Sequence, residues 1–391
     1  MYKKVTWIVV VLIASLLVSL AGCGGQPSGE NGGTEEMPGE QAQEKIYIGV
    51  AGPLTGDSAV YGEGLRNGVL FAIEEINASG GVNGKMFEAV IEDDKGDPKE
   101  AANVAQKFAG DDRLFCVVGH VNSSCTLAGL PIYDEASLTV VSGSSTAMAI
   151  TQQGYQKFFR TISHDYLQGP QMVKLAAQTL GHKKLAAIYA NSDYGRGLME
   201  SVEASLATYG AELVASETYV PNVDKDFSPQ ITKIKAAGPD ALLILGDYTE
   251  AGLIVRQMKT AGMEIDRIGA AGVQSQTFIE LAGADAAEGT LILAYWDPFR
   301  PVPEVKAFVD AFKAKHGTIP DEREAYGYEI PFILKAAIEE GATKETLHEV
   351  LRGIEFTGAT GYTKFDERGD VSEKDQAVLV VKDGQLASWV Q

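Results

Sequence analysis

Cysteine is scarce in this sequence. The 391 residues contain three, Cys23, Cys116 and Cys125. No CxxC pair and no cysteine–histidine spacing typical of zinc sites is present, which argues against a structural metal. Cys116 lies in an apolar run that predicts a strand, about 10 Å before Gly119 at the end of that strand. A disulfide with Cys125 would need Cα atoms within about 7 Å, so we expect both thiols to stay free.

Basic residues are also few compared with acidic ones. The chain has 33 Lys and Arg residues against 53 Asp and Glu, a formal net charge of −20. Loss of Lys3 and Lys4 with a cleaved leader would change this value to −22. No basic patch with interleaved aromatic residues is found. A protein this acidic is poorly suited to bind nucleic acid or an anionic membrane surface.

Motifs for catalysis are missing. There is no G-x-S-x-G nucleophile turn, and Asp93-Asp94 and Asp111-Asp112 are sequence neighbours whose side chains would point apart. Glycines 62, 64 and 68 resemble a dinucleotide fingerprint, but about ten loop residues separate them from the preceding strand, whereas the fingerprint needs them directly after it. We therefore expect neither an enzyme nor a cofactor, and a nucleotide-dependent enzyme is the weakest alternative.

The longest N-terminal apolar run, Trp7–Leu20, is short for a spanning helix, which needs about 20 residues. Two lysines precede it and small residues follow, as in a secretory signal. Leu20-Ala21-Gly22-Cys23 resembles the bacterial lipoprotein box. We predict a signal peptide over 1–22, lipidation of Cys23, and a flexible acidic tether over 23–44, whose composition lacks large apolar side chains.

The body alternates strand and helix patterns. Apolar strands and amphipathic helices follow one another from Lys45 to Ser142, and the alternation restarts after Thr161. This pattern predicts parallel sheets covered by helices on both faces. Long helices are predicted at 303–316 and 322–340 and a shorter one at 344–352. The C-terminus predicts a β-like pair, 363–365 with 377–381.

The two halves have similar motifs. Tyr61-Gly-Glu-Gly opens a helix in the first half, and Tyr194-Gly-Arg-Gly opens one in the second. Two similar α/β lobes are the economical interpretation. Ligands of such sheets bind outside the carboxyl ends of the strands, so facing lobes would place both tyrosine turns around one cleft.

A polar stretch after a buried strand is the main candidate site. Ser123 and Ser124 follow the strand 114–118 and stand where a helix begins. Free backbone N–H groups and serine hydroxyls at a helix start can hold a carboxylate, although Ser123 could also merely cap its own helix. Ser144 and Thr146, after the next strand, could serve the same anion or form a plain turn.

Three tyrosines stand at or beside strand-to-helix turns: Tyr61, Tyr194 and Tyr248. A tyrosine combines an apolar wall with one polar tip and therefore suits a small, mostly apolar ligand. Any one of them could instead pack across the edge of a lobe. Their equivalent positions favour a shared role in the cleft.

The body resembles the leucine/isoleucine/valine-binding type of ABC-transporter solute-binding protein, which has the type I periplasmic-binding-protein fold. The resemblance extends from about Ile46 to Val381. It is carried by the order and spacing of Gly52–Gly56, Tyr61-Gly62, Ile76–Val82, Asp93-Asp94, Asp97-Pro98, Gly119-His120, Ser123-Ser124, Arg160-Thr161, Tyr194–Gly197, Lys225–Phe227 and Gly369-Asp370.

The resemblance implies two doubly wound parallel-sheet lobes with the ligand in the cleft between them. Lobe I would comprise 45–164 and 296–356, and lobe II 165–295 and 357–391. Three crossovers, near 164–167, 295–298 and 356–361, would join the lobes and allow hinge closure.

By position, the resemblance implies that Ser123, Ser144 and Thr146 hold the ligand carboxylate and that Tyr61, Tyr194 and Tyr248 line the cleft. Many amino-acid-binding members have an acidic ammonium partner where this chain has Ala271. Asp247 could substitute, or the ligand could lack an ammonium.

The implied protein is a lipid-anchored, extracytoplasmic and monomeric partner of an ABC permease that binds a small carboxylate-bearing solute, with a branched-chain amino acid as the first choice. The alternatives are a ligand sensor of the same fold and a binder of aromatic acids, other carboxylic acids or amides.

Overall fold

The computed structural model describes residues 44–371, 374 and 376–390. The predicted signal segment 1–22, the lipidated Cys23 and all of the predicted tether except Glu44 lie outside the described residues and stay predictions. Within the described part of the chain, no helix combines the length and apolar character needed to cross a membrane.

The first half forms a parallel sheet with strand order β2-β1-β3-β4-β5. Its central strands are apolar on both faces because helices cover both sides of the sheet. The strands are β1 (Lys45–Gly52), β2 (Met86–Asp93), β3 (Leu114–Val118), β4 (Val140–Ser142) and β5 (Phe158–Arg160). The intervening helices are α1 (Ala59–Ala78), α2 (Pro98–Ala109), α3 (Ser123–Glu135) and α4 (Ala149–Gln152).

The second half repeats the alternation around its own sheet. Its strands are β6 (Lys184–Ala190), β7 (Glu212–Tyr219), β8 (Ala241–Leu245), β9 (Asp266–Gly269) and β10 (Leu291–Ala294). These strands pair in parallel in the order β10-β9-β8-β6-β7. The helices are α5 (Asp165–Lys174), α6 (Asp193–Tyr209), α7 (Ser228–Ala237), α8 (Tyr248–Thr260), α9 (Gln276–Ala282) and α10 (Ala284–Ala287).

The chain then returns to the first sheet. Helices α11 (Pro303–His316), α12 (Glu322–Glu339) and α13 (Leu347–Gly353) follow β10. Phe308 and Phe312 of α11 pack on Phe71 of α1, with ring centroids 6.5 and 5.7 Å away. We call the first sheet with α1–α4 and α11–α13 the first lobe, and the second sheet with α5–α10 the second lobe.

Glycines bring α1 and α12 into close contact. A Cβ atom added at Gly68 would lie 2.1 Å from the carbonyl oxygen of Glu324, and one at Gly327 would lie 2.4 Å from that of Leu65. Larger residues at 68 and 327 would therefore force the helices apart. This contact places the start of α12 beside Tyr61 on α1.

The predicted β-like pair at the C-terminus is wrong. β11 (Glu355–Gly358) and β12 (Gly361–Lys364) pair with each other, whereas β13 (Ala377–Lys382) lies antiparallel between β10 and β14 (Gln385–Ser388). Leu379 and Val381 are fully buried in the second sheet. Burial of these apolar residues, together with pairing to β10, places β13 in a different sheet from β12.

The predicted fold class is confirmed. Two mostly parallel sheets flanked by helices form the predicted α/β architecture. The chain passes between the lobes after β5, after β10 and again before β13. Before the third passage it still contacts the first sheet, because the carbonyl of Gly369 accepts from the Arg160 N–H at 2.9 Å. Cys116 and Cys125 are buried free thiols, as predicted.

Candidate functional site

A cavity of about 410 Å³ lies between the lobes, where the carboxyl ends of both sheets face each other. Its polar lining comes from both lobes: Ser58, Tyr61, Asp97, Asn122, Ser123, Ser124, Ser144, Thr146, Asn191, Ser192, Tyr194, Asn222, Asp247, Tyr295 and Arg323. Its apolar lining includes Pro98, Val121, Ile162, Val220, Pro221, Val223 and Ala271. No group of His, Cys, Asp and Glu side chains in the described residues is arranged to hold a metal ion.

Most of the predicted site residues meet at this cavity. Tyr61, Ser123, Ser144 and Thr146 line it from the first lobe, and Tyr194 and Asp247 line it from the second. Tyr248 is not part of the lining. Its ring meets the Tyr61 ring edge-on with centroids 4.7 Å apart, and its hydroxyl donates to the carbonyl oxygen of Asp57 at 2.8 Å.

The serine turn is organised for contacts outside its own helix. Ser123 is the first residue of α3, and its Oγ accepts from the N–H of Ala147 at 3.2 Å. Ser124 Oγ accepts from the N–H of Asp193 in the second lobe at 3.3 Å. Neither of these bonds caps α3, so both hydroxyls lie where the loop after β4 and the second lobe approach the helix start.

The serine hydroxyls at the end of β4 and in the loop after it differ in their hydrogen-bond partners. Ser142 Oγ accepts from the N–H groups of Ser144 and Ser145, at 3.2 and 3.0 Å, and donates to the carbonyl of His120. Ser145 Oγ contacts Thr126 Oγ1 at 2.6 Å. The Ser144 hydroxyl has no protein partner within the described chain. It is therefore available to a ligand, while its neighbours hold the loop in shape.

Two adjacent acids at the end of β2 bind different parts of the first lobe. Asp94 and His120 are fully buried and their side chains are 2.6 Å apart, and His120 Nε2 lies 2.9 Å from the Tyr133 hydroxyl. Asp93 instead accepts from the N–H of Leu54 at 2.8 Å. The two carboxylates thus point to different partners, as the sequence predicts for neighbours at a strand end.

Asp247 places a carboxylate beside the position where the family pattern expects one. Ala271 starts a short 3₁₀ turn after β9, and a Cβ atom added at the next residue, Gly272, would lie 2.9 Å from Asp247 Oδ1. Burial, followed by repulsion from Glu250, raises the pKa of Asp247 to about 7, while the Arg323 charge and a hydrogen bond from Tyr61 act in the opposite direction. The carboxylate therefore lacks a partner that would fully stabilise its charge.

Tyr61 spans the cavity between the lobes. Its hydroxyl contacts the carbonyl oxygen of Gly272, accepts from the N–H of Tyr248 at 3.3 Å, and lies 3.4 Å from Asp247 Oδ1. Burial raises the pKa of both Tyr61 and Tyr194 well above the usual value. Both phenols therefore stay neutral and can act as donors at neutral pH.

Contacts to Asp57, next to the cavity residue Ser58, join the two lobes. The Lys225 ammonium lies 2.6 Å from the Asp57 carboxylate, and the hydroxyls of Tyr248 and Thr249 donate to the Asp57 carbonyl at 2.8 and 2.9 Å. All three of these partners belong to the second lobe. Tyr61 and Ser124 also contact the second lobe, so the two lobes touch directly at several residues.

Sequence reasoning missed Arg323. A charged residue in the first turn of a helix ordinarily faces solvent, yet Arg323 is only 7% exposed and lines the cavity. Its guanidinium carbon lies 4.5 Å from the centroid of the Tyr61 ring. The glycines at 64, 68 and 327 were the available signal, because small residues on two helices allow the close approach that buries this side chain.

Comparison with known proteins gives a consistent result. A family model described as periplasmic binding protein matches residues 45–385. A leucine-, isoleucine-, valine-, threonine-, and alanine-binding protein of Pseudomonas aeruginosa is 38% identical over 339 residues, which cover 86% of this chain and 90% of the relative.

Solved structures agree with this family relationship. The leucine binding protein LivK from Thermotoga maritima superposes with a TM-score of 0.83 at 30% identity, covering 88% of this chain and 98% of its own. LivJ from Streptococcus pneumoniae, a branched-chain amino acid transporter substrate binding protein solved with isoleucine, has the same TM-score and coverage at 29% identity. The chain belongs to the periplasmic binding protein family.

Proposed function

We propose that this protein is the extracytoplasmic substrate-binding lipoprotein of an ABC importer, anchored through Cys23, and that it captures a small amino acid and presents it to a membrane permease. The main supporting observation is the cavity between the lobes, which has the Ser123, Ser144 and Thr146 hydroxyls on one wall and the Asp247 carboxylate on the other. The names of its relatives support a branched-chain amino acid as the first ligand to test. In this function no bond of the solute is made or broken.

The two walls match the two ends of an amino acid. The carboxylate of the ligand would accept from the Ser123, Ser144 and Thr146 hydroxyls of the first lobe. The ammonium would face Asp247 of the second lobe, which supplies the charge that Ala271 cannot. A buried ammonium needs such an anionic partner because its desolvation is costly. Tyr61 and Tyr194 would close around the apolar part of the ligand.

Ligand binding would be coupled to closure of the lobes. The hydroxyls and Asp247 come from opposite lobes, so only the closed arrangement completes the site. A ligand that contacts both walls therefore binds the closed form better and shifts the population towards it. The contacts between Asp57 and the second lobe would stabilise the same form.

A thermal-shift screen of the mature protein tests this function. The ligands should include the twenty amino acids, aromatic acids and short amides, because a bound ligand raises the melting temperature by mass action. We expect leucine, isoleucine or valine to raise it in a concentration-dependent manner. A shift with aromatic acids or amides alone would overturn the amino-acid assignment. Neighbouring genes for a sensor kinase in place of permeases would overturn the transport role.

Ser123→Ala is expected to weaken binding of the amino acid by about 1–3 kcal/mol, the usual cost of losing a hydrogen bond to a charged group. Isothermal titration calorimetry measures this change directly. Ser216→Ala, at an exposed position of β7, is the matched control and should leave the affinity unchanged. An unchanged affinity in Ser123→Ala would remove this serine from the carboxylate site.

Asp57→Asn should reduce affinity about two- to fivefold, because the Lys225–Asp57 pair bridges the lobes but is half exposed and so worth less than about 1 kcal/mol. The loss should appear mainly as faster dissociation in stopped-flow experiments and should shrink at high salt. Lys233→Met is the control, because Lys233 pairs with Glu217 inside the second lobe at 2.9 Å. Equal effects of the two variants would contradict a closing role for the Lys225–Asp57 pair.

A further inference from the structure

Arg323 is a buried cation in the wall of the ligand cavity. It stands in the first turn of α12, two residues after Asp321, whose side chain caps the helix by accepting from the N–H groups of Arg323 and Glu324 at 2.8 and 3.2 Å. The cap and the close contact of α12 with α1 fix the backbone. The guanidinium consequently has a defined position over the Tyr61 ring, in the lining of the cavity.

The hydrogen-bonding capacity of this guanidinium is largely unused. Within the described chain, its Nη1 contacts Glu322, whereas Nε is buried without a partner and Nη2 has no hydrogen bond. Glu322 is itself engaged, since it accepts from the N–H of Tyr295 at 3.1 Å. A buried donor without an acceptor is unfavourable, so these N–H groups call for an acceptor that the protein does not provide.

We propose that Arg323 forms a second polar subsite, which receives a planar acceptor group at the end of the ligand's side chain. The proposal rests on the proposed function and deepens it. There the ligand carboxylate is assigned to the serine and threonine hydroxyls and the ammonium to Asp247, so the side chain is the part left to face Arg323. The ligand class then includes amino acids that end in a carboxamide or carboxylate, in addition to aliphatic ones.

The geometry of arginine favours this class. Its planar fork can donate two parallel hydrogen bonds to a carboxylate or one to an amide carbonyl. A neutral carboxamide adds no charge of its own to this wall, which already holds Arg323 and Glu322. An aliphatic side chain in the same place would leave the free N–H groups unsatisfied.

Leucine, asparagine and aspartate provide a matched test. Their side chains have nearly the same shape, but they end in two methyl groups, a carboxamide and a carboxylate. The variant should be the double replacement Glu322→Gln with Arg323→Met, since removing Arg323 alone would leave Glu322 as an unpaired buried charge. Arg256→Met, at an exposed position on α8, controls for the loss of a positive charge.

We expect calorimetry to show that the double variant binds asparagine about 10- to 100-fold more weakly than the unmodified protein, as for loss of a hydrogen bond to a charged group. Leucine affinity should change less than about threefold. If the double variant does not fold, Arg323→Lys gives the same comparison, because it keeps the cation and removes the planar fork; asparagine should again lose more affinity than leucine.

Two results would overturn the subsite: leucine binding without asparagine or aspartate binding by the unmodified protein, or an unchanged ratio of asparagine to leucine affinity in the variants. In each of these results leucine still binds, so the proposed function survives. Failure of every amino acid to bind would instead overturn the proposed function, and the subsite with it.

Discussion

Asp247→Asn should lower the affinity for an amino-acid ligand by about a hundredfold or more and, at the same time, stabilise the ligand-free protein at neutral pH. Removing one partner of a buried ion pair costs about 3 kcal/mol or more, because the ligand ammonium is left without an anion. Without ligand, the same carboxylate is unfavourable when ionised, since burial has raised its pKa to about 7.

The pH dependence follows from this raised pKa. A carboxyl group whose folded-state pKa lies above its unfolded value contributes stability below the unfolded pKa and loses that contribution as the pH rises through the folded pKa. The stability advantage of Asp247→Asn should therefore grow between about pH 4 and pH 7 and then level off. Asp165 and Glu322 also have pKa values raised by burial to about 7, but they are present in both proteins and cancel in the difference.

Affinity has the opposite pH dependence. Between pH 5 and 8 the affinity of the unmodified protein for an amino acid should rise as Asp247 ionises, and in Asp247→Asn this rise should be strongly reduced. Calorimetry across this range, together with urea unfolding of the ligand-free proteins, measures both effects. Asp285→Asn, whose side chain is exposed, should change neither. Unchanged affinity in Asp247→Asn would mean that the ammonium binds elsewhere or that the ligand has none.

Arg160→Met should destabilise the protein by about 3–5 kcal/mol, the usual cost of leaving a buried charge unpaired. Arg160 and Asp370 are buried, with Arg160 Nε 2.5 Å from Asp370 Oδ1. The same guanidinium donates to the carbonyl oxygens of Ser145 and Ala147 at 3.2 and 3.0 Å. It thereby joins the loop that carries Ser144 and Thr146 to a segment more than two hundred residues later.

Urea unfolding measures this loss of stability. The double variant Arg160→Met with Asp370→Leu should recover much of it, because no charge is then left unpaired. Arg113→Met is the control: the Arg113 side chain is mostly exposed, and its pair with Asp111 should contribute less than about 1 kcal/mol. A loss below about 1 kcal/mol in Arg160→Met would show that the buried pair does not hold the loop in place.

Local sequence was sufficient to predict the helices and turns whose ends are set by neighbouring residues. The helix predicted over 303–316 has those bounds in the structure, because Pro303 starts it and Gly317 ends it in a left-handed conformation. The serine turn was found in the same way, from a buried strand followed by small polar residues at a helix start. The alternation of strands and helices then predicted two parallel sheets.

Pairing over long distances could not be predicted in this way. The apolar run that forms β13 reads as a strand, but its pairing with β10 depends on where the second sheet has an open edge. The sequence could not predict either which hydroxyl of the loop after β4 is free to contact a ligand. The Ser142 hydroxyl donates to the backbone carbonyl of His120, and the Ser145 hydroxyl contacts Thr126. Of these three serines, only Ser144 keeps a hydroxyl available to a ligand.

By itself, then, the sequence determined the α/β class, the turns that carry Ser123, Tyr61 and Tyr194, and the acidic, cysteine-poor character of the chain, because each follows from neighbouring residues or from composition. Only the tertiary structure decided that Asp247 lies beside the turn begun by Ala271 and that Arg323 is a buried cavity residue. Both positions arise from contacts between segments far apart in the chain, and the charge of such residues is set by what the folded protein places around them.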